Sequence, residues 1–190
     1  MELKVLRILA AFLTVACFIS CNDDSSKSTL TVADYFPLEV NNKWAYSNGN
    51  IEWTEEVTAY KHIDGKEYAV VLRTYQRSID TTYYRSEDNN KVYIYFQGEE
   101  SLFIDFERAK GEEWESYHEF YAKVNSTGGK VTVPAGTFDN VVEIFSDNRQ
   151  ISDAFEFRKY APGVGLIKLA GFRRESELIR AYVNGSNYPQ

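Results

Sequence analysis

Hydrophobic and polar residues alternate with a period of two along most of the chain. In residues 91–96 the aliphatic side chains share one face, while Tyr93 and Tyr95 share the other. Residues 101–106 and 154–160 follow the same rule. Successive side chains of a strand point to opposite faces, so this alternation is typical of β-strands. The pattern therefore predicts an all-β protein.

Turn-forming residues separate the alternating segments. Asp64-Gly65 joins residues 57–63 to residues 66–74 and is a strong signal for a two-residue hairpin. Short strands at this spacing predict a single curved antiparallel meander of about ten strands, folded as a half-barrel or an open barrel. Only residues 32–36, as a single turn, and residues 104–114 have helical character.

The first twenty residues follow a different pattern. Lys4 and Arg7 precede an apolar run over residues 8–19. That length suits the apolar region of a signal peptide (~7–15 residues) and is short for a membrane-spanning helix, which needs ~20. A buried N-terminal helix is the alternative, but the run is apolar on all sides rather than on one face. We predict a signal peptide over residues 1–20.

Both cysteines of the chain lie at the end of this leader. Residues 18–21, Phe-Ile-Ser-Cys, resemble a bacterial lipobox, whose cysteine is lipidated and becomes the new N-terminus. Cys17 is the competing candidate, but it would leave two bulky apolar residues at the exposed start of the mature chain. We therefore predict lipidation, palmitate included, at Cys21, a flexible tether over residues 21–33, and a cysteine-free antiparallel β domain over residues 34–190.

Charge limits the partners of the domain. The chain has 21 basic and 28 acidic residues, a net charge of −7, and loss of the leader makes it more negative. Nucleic-acid binding needs clustered Lys and Arg, so we expect no nucleic-acid partner. The same charge disfavours purely electrostatic attachment to anionic lipid, which leaves the lipid anchor as the predicted contact with the membrane.

Three longer motifs occur in order along the chain. They are YFPLEVNNKWAY at residues 35–46, VPAGTF at residues 133–138 and YAPGVGLIK at residues 160–168. Together they resemble a broad family of bacterial lipoproteins and secreted proteins. The resemblance implies a curved half-barrel, similar in outline to the lipoprotein carriers of the envelope, and it supplies no catalytic residues. Asn41-Asn42 stands where a Gly-Asn turn is more usual.

Motifs for catalysis or metal binding do not stand out. The two histidines, His62 and His118, have no metal-ligand spacing, and no hydrolase elbow or phosphate-binding loop occurs. We expect no enzyme activity, no catalytic residues, no cofactor and no metal. A glycan hydrolase, with Trp44, Trp53 or Trp114 as a sugar platform and two convergent carboxylates, is a less favoured hypothesis.

Aromatic residues are abundant on both faces of the predicted strands. The chain has 14 Tyr, 12 Phe and 3 Trp. A curved sheet has a concave face that needs either a ligand or a covering segment, and tyrosine suits a wall that is apolar yet hydrogen-bonding. We predict Tyr83, Tyr84, Tyr93 and Tyr95 as ligand-facing residues. The alternative is that the chain covers both faces itself.

These features lead to a ranked set of functions. The first is a membrane-anchored, non-enzymatic module that binds an envelope lipid, another apolar ligand or a partner segment on its concave aromatic face. The second is a structural or assembly subunit that docks onto another envelope protein. Asp23-Asp24 resembles acidic export signals, so we expect a lipid-anchored protein of a Gram-negative envelope, at the outer membrane. Alternatively, these residues only keep the tether solvated.

Overall fold

A computed structural model describes residues 31–87 and 90–189, which form one antiparallel sheet and a single-turn helix. The helix α1 covers Val32–Tyr35, and a short 3₁₀ turn covers Tyr117–Glu119. The strands are β1 Lys43–Ser47, β2 Glu52–Ile63, β3 Lys66–Thr74, β4 Ile79–Glu87, β5 Lys91–Phe96, β6 Glu99–Asp105, β7 Glu113–Glu115, β8 Phe120–Val133, β9 Gly136–Asn148, β10 Phe155–Ala161, β11 Gly165–Gly171, β12 Arg174–Val183 and β13 Ser186–Tyr188.

The sheet curls into a nearly closed barrel. Twelve strands lie side by side in the order β6-β5-β4-β3-β2-β1-β12-β11-β10-β9-β8-β7, and β13 pairs with β12. Successive strands pair with each other except at β6 and β7, which form the two edges of the sheet. The pairing of β1 with β12 joins the two ends of the chain. The predicted all-β curved antiparallel fold is confirmed, with more strands than expected and no helix between residues 104 and 114.

Antiparallel pairing sends the connections alternately to two ends of the barrel. The open rim, as we name one end, carries the connections β1–β2, β3–β4, β5–β6, β7–β8, β9–β10 and β11–β12. The plugged end carries the others. At the plugged end, β2 and β3 meet at Asp64-Gly65, where both residues have positive φ, 51° and 79°. This two-residue turn agrees with the predicted hairpin.

Residues 31–42, the N-terminal plug, cover the plugged end. The buried Val32 donates its backbone N–H to Asn90 Oδ1 at 2.7 Å. Gly163 donates its backbone N–H to the Asp34 carbonyl oxygen, also at 2.7 Å. These bonds tie the plug to two separate turns. The plug is therefore packed onto the barrel from its first described residues.

Asn42 fixes the C-terminal limit of the plug. Its side chain is buried, and its Oδ1 accepts a hydrogen bond from the Asn184 backbone N–H at 2.8 Å. Its Nδ2 donates to Asn184 Oδ1 at 3.1 Å. The preceding Asn41 has a φ of 77°, a conformation that asparagine adopts more readily than most residues. Asn41 thus forms part of the turn that leads into β1.

The core fills the inside of the barrel. Its largest fully buried inward side chains are Tyr46, Ile104, Ile144, Tyr160, Ile167 and Leu178. In the described part of the chain, no helix is both long enough and apolar enough to cross a membrane.

Candidate functional site

A cavity lies between the N-terminal plug and the inner face of the sheet. Its volume is about 40 Å³, and it opens to solvent. The lining is mostly aromatic and aliphatic, with one carboxylate, and consists of Phe36, Pro37, Leu38, Trp44, Tyr46, Glu55, Val71, Tyr84, Gly165 and Leu166. We call this space the inner cavity.

Strand β1 supplies two fixed aromatic walls. Trp44 and Tyr46 are two residues apart and therefore share the inner face of the strand. Trp44 Nε1 donates to the Val164 carbonyl oxygen at 2.6 Å, and the Tyr46 hydroxyl donates to the Leu166 carbonyl oxygen at 2.9 Å. These bonds hold both rings against the turn and strand on the far side of the cavity.

The plug closes the cavity with Phe36. The centroid of its ring lies 5.2 Å from that of Tyr84, 5.9 Å from that of Tyr160 and 6.1 Å from that of Phe103. The chain thus covers part of its own inner aromatic face. Covering by the chain itself is one of the two alternatives that the sequence left open. Gly165 allows this close approach, since its φ is 96° and a Cβ there would lie 3.3 Å from Pro37.

One charged pair borders the cavity. Arg73 donates from Nε at 2.8 Å and from Nη2 at 2.5 Å to Glu55 Oε1, and its guanidinium lies 4.9 Å from the centre of the Trp53 ring. Burial alone would lower the pKa of Arg73, but Glu55 and the nearby Tyr84 and Tyr75 together outweigh burial, and the pKa is raised. The wall near Glu55 is therefore polar but electrically balanced.

A second charged pair lies deeper on the same inner face. Arg158 forms an ion pair with Glu156 and donates from Nη1 to Ser146 Oγ at 3.2 Å. Its guanidinium lies 5.1 Å from the centre of the Phe103 ring. Burial raises the pKa of the Tyr160 hydroxyl well above its usual range, although Arg158 opposes this. The phenol therefore remains neutral and can act only as an uncharged hydrogen-bonding group.

The tryptophans bear on the hydrolase hypothesis. All three are buried, and Trp53 stacks on Tyr46 with ring centroids 4.2 Å apart. None offers an open ring face to a sugar. Glu55 and Glu156, two carboxylates of the inner face, are each held by an arginine. Within residues 31–87 and 90–189, no group of three or more His, Cys, Asp or Glu residues could hold a metal ion.

The four tyrosines predicted to face a ligand lie on two different faces. Tyr84 is opposite the buried Ile94 and lines the inner cavity. Tyr83 is opposite Tyr95, and Tyr93 lies two residues before Tyr95, so these three share the outer face. The structure thus brings only Tyr84 to the cavity. The role of all four in ligand binding stays a prediction, and the predicted lipidation site, Cys21, lies outside the described residues.

The outer-face tyrosines belong to a charged cluster around Glu100. Glu100 Oε1 accepts hydrogen bonds from the Tyr68 hydroxyl at 2.5 Å and from Arg85 Nε at 2.8 Å. The Arg85 guanidinium lies 4.4 Å from the centre of the Tyr93 ring, and the rings of Tyr68 and Tyr95 are 5.6 Å apart. Tyr93 and Tyr95 therefore have partners within the chain itself.

Replacing Glu100 with glutamine is expected to lower the free energy of unfolding by about 2 kcal/mol at pH 7, since a charged hydrogen-bond acceptor is lost. Burial alone would raise the pKa of Glu100, but hydrogen bonds from Lys66, Tyr68 and Arg85 outweigh it and lower the pKa.

The contribution of the ionised Glu100 to the free energy of unfolding is fully present above the unfolded pKa of ~4.3. It is lost as pH falls through the lower pKa of the folded state. Urea titrations between pH 3 and 7 should show the deficit of the variant shrinking in acid; Glu99→Gln, exposed on the opposite face, is the control.

Sequence reasoning did not single out most residues of the inner cavity. The sequence identifies Trp44 only as a motif residue and as one of three candidate sugar platforms, and it identifies Tyr46 and Phe36 only as residues of the same motif. Their spacing held a usable signal, because two aromatic residues at positions i and i+2 of a strand must share a face. No sequence signal marks Arg73 as a cavity residue. An inward-facing arginine can be recognised only when the strand register is known, because the register sets Glu55 opposite Arg73.

Comparisons with known proteins concern the fold. No protein-family model and no curated protein matches the chain. A predicted exported protein of Bacteroides fragilis with a YmcC-like fold has a similar solved structure, with a TM-score of 0.51 and 12% identity over 77% of this chain and 98% of that chain. This chain shares that fold. A predicted lipoprotein of Parabacteroides distasonis gives a TM-score of 0.46 at 12% identity, over 80% and 98% of the two chains.

The YmcC-like fold agrees with part of what the sequence motifs implied. The resemblance predicted a curved antiparallel half-barrel, and the solved exported protein has the same arrangement over most of its length. At 12% identity, this likeness concerns the fold and not the chemistry of a site. The inner cavity is therefore interpreted from the side chains of this chain alone.

Proposed function

We propose that this protein is a lipid-anchored lipoprotein of the Gram-negative cell envelope that binds an apolar ligand in its inner cavity without catalysing a reaction. The observation that carries the proposal is the aromatic cavity beneath the plug. Its volume of about 40 Å³ is far below the ~300–1,000 Å³ of ordinary small-molecule sites, so it takes only a small apolar group. Such a space fits the end of an acyl chain or one apolar side chain of a partner.

The plug supports this choice of ligand. Phe36 already occupies the centre of the inner aromatic face, among Tyr84, Phe103 and Tyr160. The face therefore accepts an apolar group carried on a peptide segment. Neutral phenols add hydrogen-bonding capacity without charge, since burial raises the pKa of the Tyr84 hydroxyl well above its usual range. The balanced Arg–Glu pairs favour binding over acid–base chemistry.

The anchor follows from the lipobox. Cys21 lies ten residues before Thr31, where the described domain begins, so an acylated Cys21 would hold the plugged end towards its membrane. A single acyl chain holds a protein only marginally, and a multiply acylated bacterial cysteine would hold it stably. The exported protein with the same fold supports export of this chain, and Asp23-Asp24 supports the outer membrane.

Native mass spectrometry of the protein purified from membranes tests the ligand. We expect the mass of the acylated mature chain plus one bound apolar molecule. Val71→Phe fills the inner cavity and should lose the extra mass. The neighbouring Val70→Phe is the matched control, because Val70 is opposite Tyr83 on the outer face and should leave the mass unchanged. A wild-type protein that carries no extra mass would overturn the ligand proposal.

Replacing Cys21 with serine is expected to move the protein from the membrane fraction to the soluble fraction of cell lysates. The hydroxyl cannot accept the lipid, and the described residues include no helix able to span a membrane. Fractionation and the intact mass of the purified protein measure this. Cys17→Ser is the matched control and should remain acylated and membrane-bound. Acylation at Cys17 instead, or a Cys21→Ser protein that stays in the membrane, would contradict the proposed anchor.

A further inference from the structure

A second space lies beside the inner cavity, between the N-terminal plug and the ends of β2, β3 and β4. Its volume is about 460 Å³, which is within the ~300–1,000 Å³ of ordinary small-molecule sites. The plug contributes Phe36, Leu38 and Glu39 to its walls, and the strands contribute Tyr60 and Tyr84 among others. We call this space the plug cleft.

The plug cleft and the inner cavity share part of their walls. Phe36, Leu38 and Tyr84 line both spaces. The inner cavity, with about 40 Å³, has room for only a small apolar group, whereas the cleft has room for a whole small molecule. A ligand whose apolar end enters the inner cavity therefore has space for the rest of its atoms in the cleft.

Tyr60 provides an accessible aromatic ring in the cleft. It is opposite Ala69, which is opposite Tyr84 on the next strand, so all three residues face inwards. Tyr60 is nevertheless 45% exposed, because its ring borders the cleft and not the packed core. Its hydroxyl donates to the Leu38 carbonyl oxygen at 3.1 Å, which holds the ring in place. A fixed and accessible aromatic ring attracts organic cations.

Two carboxylates lie near this ring. The Tyr60 hydroxyl is 3.4 Å from Glu39 Oε2, and Glu67 lies on the inner face of β3, two residues before Ala69. Burial raises the pKa of the Tyr60 hydroxyl, and the negative charges of Glu39 and Glu67 raise it further. Glu67 Oε1 is 3.7 Å from Nε2 of the exposed His62. Within residues 31–87 and 90–189, neither carboxylate forms an ion pair with a lysine or an arginine.

The basic residues around the cleft point away from it. The plug and the strand ends next to it, residues 31–42, 59–69, 83–87 and 90–91, carry four basic residues: Lys61, Lys66, Arg85 and Lys91. Lys61 Nζ lies 5.2 Å from the centre of the outer Tyr83 ring. Lys66 and Arg85 form ion pairs with Glu100 on the outer face. Lys91 lies two residues before Tyr93 and therefore shares its outer face.

The other carboxylates of these segments have partners outside the cleft. Asp34 accepts a hydrogen bond from the Thr31 backbone N–H, Asp64 accepts one from the outer Tyr95, and Glu87 accepts one from Arg85. Among the ionisable groups of the described segments, the two that face the cleft without a basic partner are thus Glu39 and Glu67. The cleft is therefore a negative site with an aromatic wall.

We propose that the plug cleft binds a primary ammonium group on an apolar stem, and that the other end of this stem enters the inner cavity. An ammonium group has three hydrogen-bond donors and no acceptor, which matches two carboxylates beside an aromatic ring. The ligand is a small amphiphilic amine. The entry of its stem into the inner cavity rests on the proposed function, whereas the ammonium site does not.

Calorimetric titration of the mature chain, residues 21–190 with Cys21→Ser, tests the ammonium site with probes of equal length. We expect hexylamine to bind ~10-fold more tightly than 1-hexanol, because two partly exposed carboxylates together contribute about as much as two surface ion pairs. Hexanoate should bind more weakly than 1-hexanol, since the carboxylates repel it. Equal affinities for hexylamine and 1-hexanol, or tighter binding of hexanoate, would overturn the ammonium site.

The double variant Glu39→Gln/Glu67→Gln locates the site. It should lower the affinity for hexylamine ~10-fold and leave the affinity for 1-hexanol unchanged. Glu56→Gln/Glu175→Gln makes the same change of net charge at exposed positions outside the cleft and should bind hexylamine like the parent chain. Unchanged hexylamine binding by Glu39→Gln/Glu67→Gln would show that the cleft is not the contact. The comparison of probes on the parent chain stands even if a variant does not fold.

Two further arms separate this site from the alternatives. Val71→Phe fills the inner cavity and should weaken both hexylamine and 1-hexanol; if hexylamine binding were unchanged, the apolar site would be refuted and the ammonium site would stand. N-acetyl-lysinamide carries the same ammonium group on a peptide unit, whose amides do not fit an apolar cavity without losing hydrogen bonds. It should bind more weakly than hexylamine. Tighter binding of N-acetyl-lysinamide would overturn the small amine in favour of a lysine of a peptide partner.

Discussion

Phe36→Ala is expected to lower the free energy of unfolding by about 3 kcal/mol, the lower end of the cost for removing a packed phenylalanine ring. The ring contacts Tyr84, Phe103 and Tyr160 and is the only aromatic side chain that the plug lays on the centre of the inner face, within residues 31–42. Its loss joins the space it occupied to the inner cavity. Urea titration of the mature chain measures the change in stability.

The same variant tests the cavity as a binding site. An apolar fluorescent probe should bind Phe36→Ala more tightly than the wild type, because the enlarged cavity is lined by aromatic and aliphatic side chains. Phe172→Ala is the matched control: its ring is 41% exposed at the open rim, so it should change neither stability nor probe binding at the cavity by much. A stability change below 0.5 kcal/mol for Phe36→Ala would show that the plug is not packed as described.

The hairpin pattern could be predicted because its causes are local. Asp64-Gly65 supplies the two positive φ angles of a tight turn, and Pro134 cannot continue the ladder of β8, which ends at Val133. The pairing of β1 with β12 could not be predicted in this way. It joins Trp44 to Ala181, which are 137 positions apart in the chain. Turn-forming residues predict only contacts between neighbouring strands, so they do not predict this one.

The face of the sheet on which each tyrosine lies could not be predicted from the sequence either. Tyr83 and Tyr84 are adjacent, so one of them must face inwards, but the sequence alone does not say which. The strand register shows that Tyr84 faces inwards, because it pairs with the buried Ile94, whereas Tyr83 pairs with Tyr95. Tyr95 then joins Asp64 through a hydrogen bond of 3.3 Å on the outer face. A half-buried tyrosine in an acidic, charged surface has the same sequence signature as one that faces a ligand.

Charged residues on the inner face are the hardest feature to foresee. Arg158 lies in a strand where alternation places it opposite the phenylalanine side, which by itself suggests a solvent-facing residue. In the nearly closed barrel, the charged side of this strand faces the interior and the phenylalanine side faces outwards. Arg158 points inwards, while Phe157 faces outwards and contacts Phe145 with ring centroids 4.9 Å apart. Alternation therefore predicted the strand but did not show which side faces the interior, since a nearly closed sheet can hold charges inside when they are paired.

Arg158→Met is expected to destabilise the protein by about 3 kcal/mol, because it leaves the Glu156 carboxylate without its partner in a largely buried position. The side chains of the two residues are 14% and 28% exposed, and Ser146 Oγ is the other recorded partner of the guanidinium. Most of the expected loss of stability comes from leaving the Glu156 charge uncompensated, and less comes from losing the attraction between Arg158 and Glu156. Urea titration at pH 7 measures it.

The double variant Arg158→Met/Glu156→Gln separates these two causes. Replacing both members of a buried pair with groups of similar volume is often close to neutral, so the double variant should regain most of the stability that Arg158→Met loses. Lys43→Met breaks the exposed pair with Glu56, whose side chains are 52% and 38% exposed, and should change stability by less than about 1 kcal/mol. If the double variant were as unstable as the single one, Arg158 would act through its packing on Phe103, and the inner face would not need balanced charge.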